Sequence, residues 1–364
     1  MSDNPLMVLG QLGQSPWYDF ITRDLMASGE LARLIREDGL RGMTSNPTIF
    51  EKAIAGSSDY DADIRRLAAE GRGPAEIFEA LAVADVQAAC DAFLDVHIAT
   101  AGLDGMVSLE VSPTLAYDPD GTITEAARLW AAVDRPNAMI KVPGTEPGLA
   151  AVEACTARGI NVNVTLLFGV ARYEAVIEAF VRGLEARVRA GEPVDGLVSV
   201  ASFFVSRVDT RIDPMLDAAG RPDLRSRAAI ANARAAYQAF ERWFGSERWA
   251  LMAEKGAAVQ RPLWASTSTK DPSLPDTYYV EALVAPHTVN TLPPDTYRAY
   301  RDHGRPAVRI ADEDPAATLD ALAGAGISLD EVTRFLEEDG VAKFAASYQS
   351  LLTGIEAKAA ALVG

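Results

Sequence analysis

Residues 160–168 read Ile160-Asn161-Val162-Asn163-Val164-Thr165-Leu166-Leu167-Phe168. Side chains along a strand alternate between two faces. Asn161, Asn163 and Thr165 therefore share one face, and Ile160, Val162, Val164 and Leu166 share the other. The apolar face suits a covering layer of helices. The polar face needs an interior of its own, and the inside of a closed barrel is such a place.

The same parity spreads outward from this stretch. In residues 106–112, Ser108, Glu110 and Ser112 oppose Val107, Leu109 and Val111. Lys141 lies between Ile140 and Val142, Thr44 is in phase with Asn46, and Trp17 is in phase with Asp19. Only residues 197–204 break the rule, because Ser202 is in phase with Val198 and Val200. A bulge or an early end is predicted for that strand.

Eight strand candidates emerge, near residues 17–20, 42–46, 106–112, 138–142, 160–168, 197–204, 262–266 and 288–292. Amphipathic helical segments separate many of them, at 74–100, 124–132, 149–157 and 171–190. Strands alternating with helices imply parallel strands with helices outside. Eight such units predict an α/β fold of the (β/α)8 TIM-barrel type. An open doubly wound sheet usually carries a GxGxxG fingerprint after its first strand, and neither that motif nor GxxxxGK[ST] occurs here. Residues 211–255 predict extra helices between strands 6 and 7, and 331–363 predict closing helices at the C-terminus, packed on the barrel exterior. No linker or fixed-period repeat divides the chain, so residues 1–364 are expected to form a single domain.

The composition narrows the function classes. The chain has 364 residues, 49% hydrophobic and 23% charged, enough to bury a substantial core. Its formal charge of -17 disfavours nucleic acid and anionic membrane as partners. A small phosphate would need a local basic pocket. Cys90 and Cys155 offer neither a disulfide framework nor paired metal ligands, and His97, His287 and His303 share no ligand spacing, so no metal is expected. With no basic-then-apolar leader and no apolar run of membrane-spanning length, cytoplasmic residence is expected.

Buried polar groups without partners are costly. A barrel core holding a lysine, two carboxylates and two asparagines therefore needs either a dense internal network or a ligand. A lysine in a low-dielectric pocket loses part of its preference for charge, and the neutral amine is the form that attacks a ketone. Lys141 is the natural nucleophile on this reading. The alternative is a salt-bridged lysine at a barrel mouth with Glu110 and Asp19 as its partners, and the pattern alone leaves the two evenly balanced. Asn46 precedes Pro47, where asparagine is common for backbone reasons. Trp243 and Phe244 are read as packing residues.

Four segments then resemble a known family. Thr44-Ser45-Asn46-Pro47-Thr48-Ile49-Phe50, followed by Ala55-Gly56-Ser57-Ser58-Asp59-Tyr60, is similar to the N-terminal signature of the transaldolases in their longer bacterial form. Glu110-Val111-Ser112-Pro113, Ile140-Lys141-Val142-Pro143-Gly144-Thr145 and the opening stretch resemble that family's active-site strands, in its order. The likeness extends over about residues 17–293, and four segments in order are far more specific than any one.

The resemblance implies a cofactor-free transferase. Lys141 would form a Schiff base with a ketose phosphate, sedoheptulose 7-phosphate or fructose 6-phosphate. The dihydroxyacetone unit would pass to glyceraldehyde 3-phosphate or erythrose 4-phosphate, in the non-oxidative pentose phosphate pathway. Asp19 would be the general acid/base, Glu110 would work through a water, and Thr165 would hold that water. Asn46 and Asn163 would bind the hydroxyls of the three-carbon unit, with Thr44 beside them. Ser202, Phe204 and Arg207 resemble the family's substrate-binding segment, with the arginine on phosphate. Lys270, in the loop after strand 7, is the expected second phosphate contact. A homodimer is also implied. Rival readings are a fructose 6-phosphate-type aldolase that cleaves without transfer, a non-catalytic sugar-phosphate-binding barrel, and a phosphosugar isomerase or decarboxylase barrel. Glu110 argues against the first, since in the relatives that act as such aldolases this place resembles an amide.

Overall fold

A computed structural model of the chain describes residues 4–363. Its strands are β1 (Gln14–Tyr18), β2 (Gly42–Met43), β3 (Met106–Glu110), β4 (Ala138–Pro143), β5 (Val162–Leu167), β6 (Ser199–Phe204), β7 (Gln260–Ala265) and β8 (Thr288–Leu292). They close into a barrel in sequence order, and neighbours run parallel throughout. This is the (β/α)8 architecture that the alternating pattern predicts. No helix among the described residues is long and apolar enough to cross a membrane.

The outer layer forms for the expected reason. In the helix Val170–Ala190, Tyr173, Val176, Ile177, Phe180 and Leu184 recur every three or four residues and are buried. Burying each such side chain contributes roughly 1.5–3 kcal/mol. Gly191 ends the helix at φ 76, a conformation open to glycine without a Cβ clash. The predicted helix 74–100 is instead two, Pro74–Ala92 and Leu94–Ala99, with Phe93 between them. Phe93 is fully buried, whereas the second piece buries no residue and turns where His97 Nδ1 meets the Asp104 carbonyl.

Register decides who meets whom inside. Glu110 pairs with Lys141, Lys141 with Asn163, and Asn163 with Val200 across four successive strands. Residues at one level of adjacent parallel strands face the same side, so these side chains all enter the barrel. Val200 is thus an apolar interior residue, and Ser202 is in phase with it without any defect in β6. The irregularity falls on β5, between Val164 and Leu167. There Leu166 adopts φ 61, a left-handed conformation rare for a side chain of this size. The parity break read from residues 197–204 is corrected accordingly: the bulge exists, one strand earlier than expected.

Beneath the mouth the barrel is filled. Trp17 is wholly buried, and a Cβ on Gly42 would lie 2.5 Å from its Cε2. Only glycine leaves room for the indole at that level of β2.

Helices Ser206–Ala218, Ala228–Phe244 and Glu247–Ala253 occupy the predicted insertion between β6 and β7. Trp243 and Phe244 pack against the core as expected. The tail differs from its prediction. It is one helix, Leu329–Val363, and it crosses the barrel mouth, where Phe344 comes to lie over Lys141. Gly340 permits this close approach, since a Cβ there would stand 3.1 Å from Leu166 Cδ2 on the β5 bulge. One turn further on, Phe344 reaches the interior.

Candidate active site

The candidate site residues gather toward the C-terminal end of the barrel, where loops of a (β/α)8 fold carry chemistry, whereas Asn161, ahead of β5, is tied at the other end to the Pro136 and Ala138 carbonyls. Lys141 projects from β4 and is only 4% exposed. Its Nζ lies 3.2 Å from Glu110 Oε2 and donates to the Ser45 carbonyl at 3.2 Å. The Phe344 ring centroid stands 5.7 Å away. The salt-bridged reading of this lysine therefore holds as geometry, and it does not exclude the nucleophilic one.

Glu110 is 9% exposed at the end of β3. Apart from its contact with Lys141, its carboxylate has no hydrogen-bond partner among the described residues, and neither does Thr165 Oγ1. A native interior rarely leaves such groups unpaired. Both suit an exchangeable water or substrate oxygen. Burial pushes the Glu110 carboxyl above its ordinary value, Lys141 pulls it back, and Asp19 adds a little to the rise.

Asp19 sits just past the end of β1, one residue beyond the strand. Thr44 donates to its Oδ1 at 2.6 Å. Thr44 has one proton to give, so the 2.6 Å contact between Thr44 and Thr291 has Thr291 as donor. Burial raises the Asp19 carboxyl, against lowering by Lys141, by the Thr44 hydrogen bond and by Arg207.

β2 is shorter than the predicted 42–46 and ends at Met43. Asn46 caps the helix Pro47–Ala55, its Oδ1 accepting from Ile49 N at 3.0 Å. The backbone reason for an asparagine before proline is thus real. Its amide donors remain for a ligand, because the cap uses only the oxygen.

A cavity of about 250 Å³ is lined by Asp19, Thr44, Asn46, Lys141, Thr165, Ser202, Phe204, Arg207 and Lys270. Of the predicted residues only Glu110 and Asn163 are missing from its wall. Asn163 stands level with Lys141 on the neighbouring strand, donating to Ser108 Oγ at 3.0 Å and accepting from Ser202 Oγ at 2.7 Å. Its amide thus braces the interior beside Lys141.

Three cations ring the entrance. Arg207, on the helix Ser206–Ala218, stacks 5.1 Å over the Phe204 ring and has an unpartnered Nη1 among the described residues. Burial depresses its guanidinium below the usual range. Lys270 is exposed and donates to Ser268 Oγ at 2.8 Å. Lys52 is the third. Together they supply the local basic pocket that a phosphate needs on a chain of net charge -17.

A family model described as transaldolase/fructose-6-phosphate aldolase matches residues 16–355. The chain belongs to this family.

Three relatives named transaldolase extend the likeness to full length. The one from Acidothermus cellulolyticus is 52% identical over 357 residues, covering 97% of this chain and 96% of the relative. That from Frankia alni is 49% identical over 355 residues, with 96% of each chain covered. The Thermobifida fusca relative is 47% identical over 364 residues, 98% of this chain and 99% of its own. The transaldolase/fructose-6-phosphate aldolase match thus includes the C-terminal helix, which the segments quoted above do not reach.

Lys52 and Phe344 are among the lining residues that escaped sequence reasoning. Lys52 had a signal: Thr48 and Lys52 are four apart on a helix that begins at Asn46, so they share the face turned to the cavity. Phe344 had none, because its place depends on a helix that packs across the mouth from far along the chain.

Proposed function

We propose that this enzyme is a transaldolase, transferring dihydroxyacetone from a ketose phosphate to an aldose phosphate through a Schiff base on Lys141. One observation carries the proposal: a buried amine stands 3.2 Å from a buried carboxylate that has no other partner among the described residues, beside a cavity ringed by cations. Lys141 attacks the ketose carbonyl. Glu110 and a water held with Thr165 move protons as the carbinolamine loses water to give an iminium ion. The iminium draws electrons from the bond to be cleaved while Asp19 takes the proton of the hydroxyl beyond it. An aldose phosphate leaves, and an enamine stays on Lys141. Asn46 and Asn163 bind the hydroxyls of the three-carbon unit, with Ser202 hydrogen-bonded to Asn163 beside them; Thr44 orients Asp19. Phe204 and Arg207 receive the phosphate end, with Lys270 and Lys52 at the rim. A second aldose phosphate then accepts the unit with the steps reversed.

The substrates proposed are sedoheptulose 7-phosphate or fructose 6-phosphate as donor, and glyceraldehyde 3-phosphate or erythrose 4-phosphate as acceptor. The proposal includes cytoplasmic residence and a homodimer of single-domain chains, which sedimentation checks.

Borohydride reduction with fructose 6-phosphate should attach the substrate to Lys141, read by mass spectrometry. Lys141→Ala should abolish labelling without unfolding the protein; labelling that persists in this variant refutes the assignment. Equal release of free dihydroxyacetone with and without an acceptor would instead favour a cleaving aldolase.

A further inference from the structure

Asp209 is a buried carboxylate to which the proposed reaction gives no role. It lies two residues past Arg207 on the helix Ser206–Ala218, with no cation paired to it among the described residues, and burial pushes its carboxyl up to about 7. Both of its oxygens are taken by neutral donors. Oδ1 accepts from Ala229 N at 2.8 Å, in the first turn of the helix Ala228–Phe244, and Oδ2 accepts from the Tyr279 hydroxyl at 2.9 Å. Tyr279 is itself buried, in the short helix Tyr278–Ala282 that follows the Lys270 loop.

A second set of bonds runs beside the first. One turn along from Asp209, Asp213 accepts from Ser226 N at 2.9 Å, and the Ser226 carbonyl accepts from the Tyr278 hydroxyl at 2.9 Å. Ser226 adopts φ 59, a left-handed conformation uncommon for serine. Its neighbour Arg225 pairs at 3.3 Å with Asp271, the residue after Lys270. Residues 225–229 and the direct Asp209–Tyr279 bond thus fasten the helix that carries Arg207 to the segment that carries Lys270. A buried polar network with its members satisfied fixes one geometry.

The proposed reaction gives this fastening a task. Arg207 and Lys270 follow different strands and share no hydrogen bond or ion pair among the described residues, yet both line the sugar-phosphate cavity. Their separation is set where their backbones are joined. At the roots Ser206 N donates to the Ser266 carbonyl at 3.0 Å, and farther out only the bonds above do this. Misplacing a binding group by about 1 Å can cost on the order of 10²-fold in rate. We infer that Asp209 is a positioning residue for the phosphate: through Tyr279 and Ala229 it holds Arg207 and Lys270 at the spacing that one phosphate group bridges. This rests on the transaldolase reading above.

The test compares two acceptors that differ only by the phosphate. With fructose 6-phosphate as donor, kcat/KM is measured for glyceraldehyde 3-phosphate and for unphosphorylated glyceraldehyde, in the unmodified enzyme, in Asp209→Ala and in Tyr279→Phe. The donor's fragment leaves before the acceptor enters, so each acceptor's kcat/KM is independent of the donor concentration. Each variant should lower kcat/KM for glyceraldehyde 3-phosphate by about fivefold or more and leave that for glyceraldehyde within about twofold. Circular dichroism melts verify folding, and Tyr279→Phe, which removes one hydroxyl and keeps the ring, decides the matter if Asp209→Ala does not fold. A purely structural role would lower both acceptors in the same proportion. That result, or an unchanged preference for the phosphorylated acceptor in a folded variant, overturns the inference alone. If the unmodified enzyme transfers no three-carbon unit at all, the reading of the reaction falls and this assignment falls with it.

Discussion

Charges are buried at both ends of this barrel, and the two ends treat them differently. At the N-terminal end Arg261 pairs with Asp104 at 2.9 Å, donates to Ser15 Oγ at 2.9 Å and donates to the Leu103 carbonyl at 2.8 Å. Ser15 in turn donates to Asp104 at 2.8 Å. At the C-terminal end Glu110 has only Lys141, and Thr165 Oγ1 has no partner among the described residues. Ser15 and Asp19 share one face of the same short segment, four residues apart. A charge held by several neighbours holds the barrel together; a charge paired only with a reactive amine beside a cavity can act on a ligand. Polarity inside the barrel therefore does not mark a site, and neither does one unpartnered atom, since Arg261 Nε also has none; unpartnered groups gathered beside a buried amine and a cavity do.

The strongest way to break this contrast is to neutralise the open end. Asp19→Asn keeps the shape and removes the base, so transfer should fall by about 10²–10⁴. Stability should move the other way. Burial raises the Asp19 carboxyl in the folded state, so its stabilising share is complete only below the unfolded value near pH 4 and is lost as pH climbs through the folded one. At neutral pH the ionised side chain therefore costs stability, and the amide should melt at the same temperature or higher. Joint loss of activity and stability would show that Asp19 is a structural partner after all.

The closed end should answer in the opposite way. Asp104→Ala leaves Arg261 buried without its carboxylate, and breaking a buried pair costs about 3–5 kcal/mol. Urea unfolding should register that loss, while activity per folded molecule stays within about twofold, as expected for a site removed from the chemistry. A collapse of activity in the fully folded variant would mean that the two ends are coupled.

The pH profile sharpens the comparison further. Asp19 and Glu110 both have raised carboxyls, so the acid limb of kcat/KM should lie above the ordinary carboxylate value of about 4. A rate that holds down to about pH 4 contradicts the role of Asp19. The smallest effect is expected at the lid. Phe344→Ala opens the space above Lys141, and with acceptor saturating, free dihydroxyacetone should rise several-fold relative to transferred product. An unchanged ratio would leave Phe344 as a packing residue.

Much of this was legible in one dimension. Alternation is local, so residues 160–168 and 106–112 were enough to put Asn163, Thr165 and Glu110 inside, and the count of alternating units was enough for the barrel. Period alone cannot say whether a polar interior residue has partners. Asn163 and Glu110 look alike in the sequence, yet Asn163 is tied to Ser108 and Ser202 while Glu110 has only Lys141 among the described residues. Nor does it register strands against each other, which is why the irregularity expected in β6 belongs to β5.

By itself, then, the sequence determined which residue types enter the barrel, how many strands close it and which family's motifs they carry, because strand parity and motif spacing act over a few residues. Only the tertiary structure decided that Lys141 stands 3.2 Å from Glu110 and that the C-terminal helix crosses the mouth instead of the outer wall. Those facts depend on register between strands and on the packing of segments two hundred residues apart, and no local pattern encodes either.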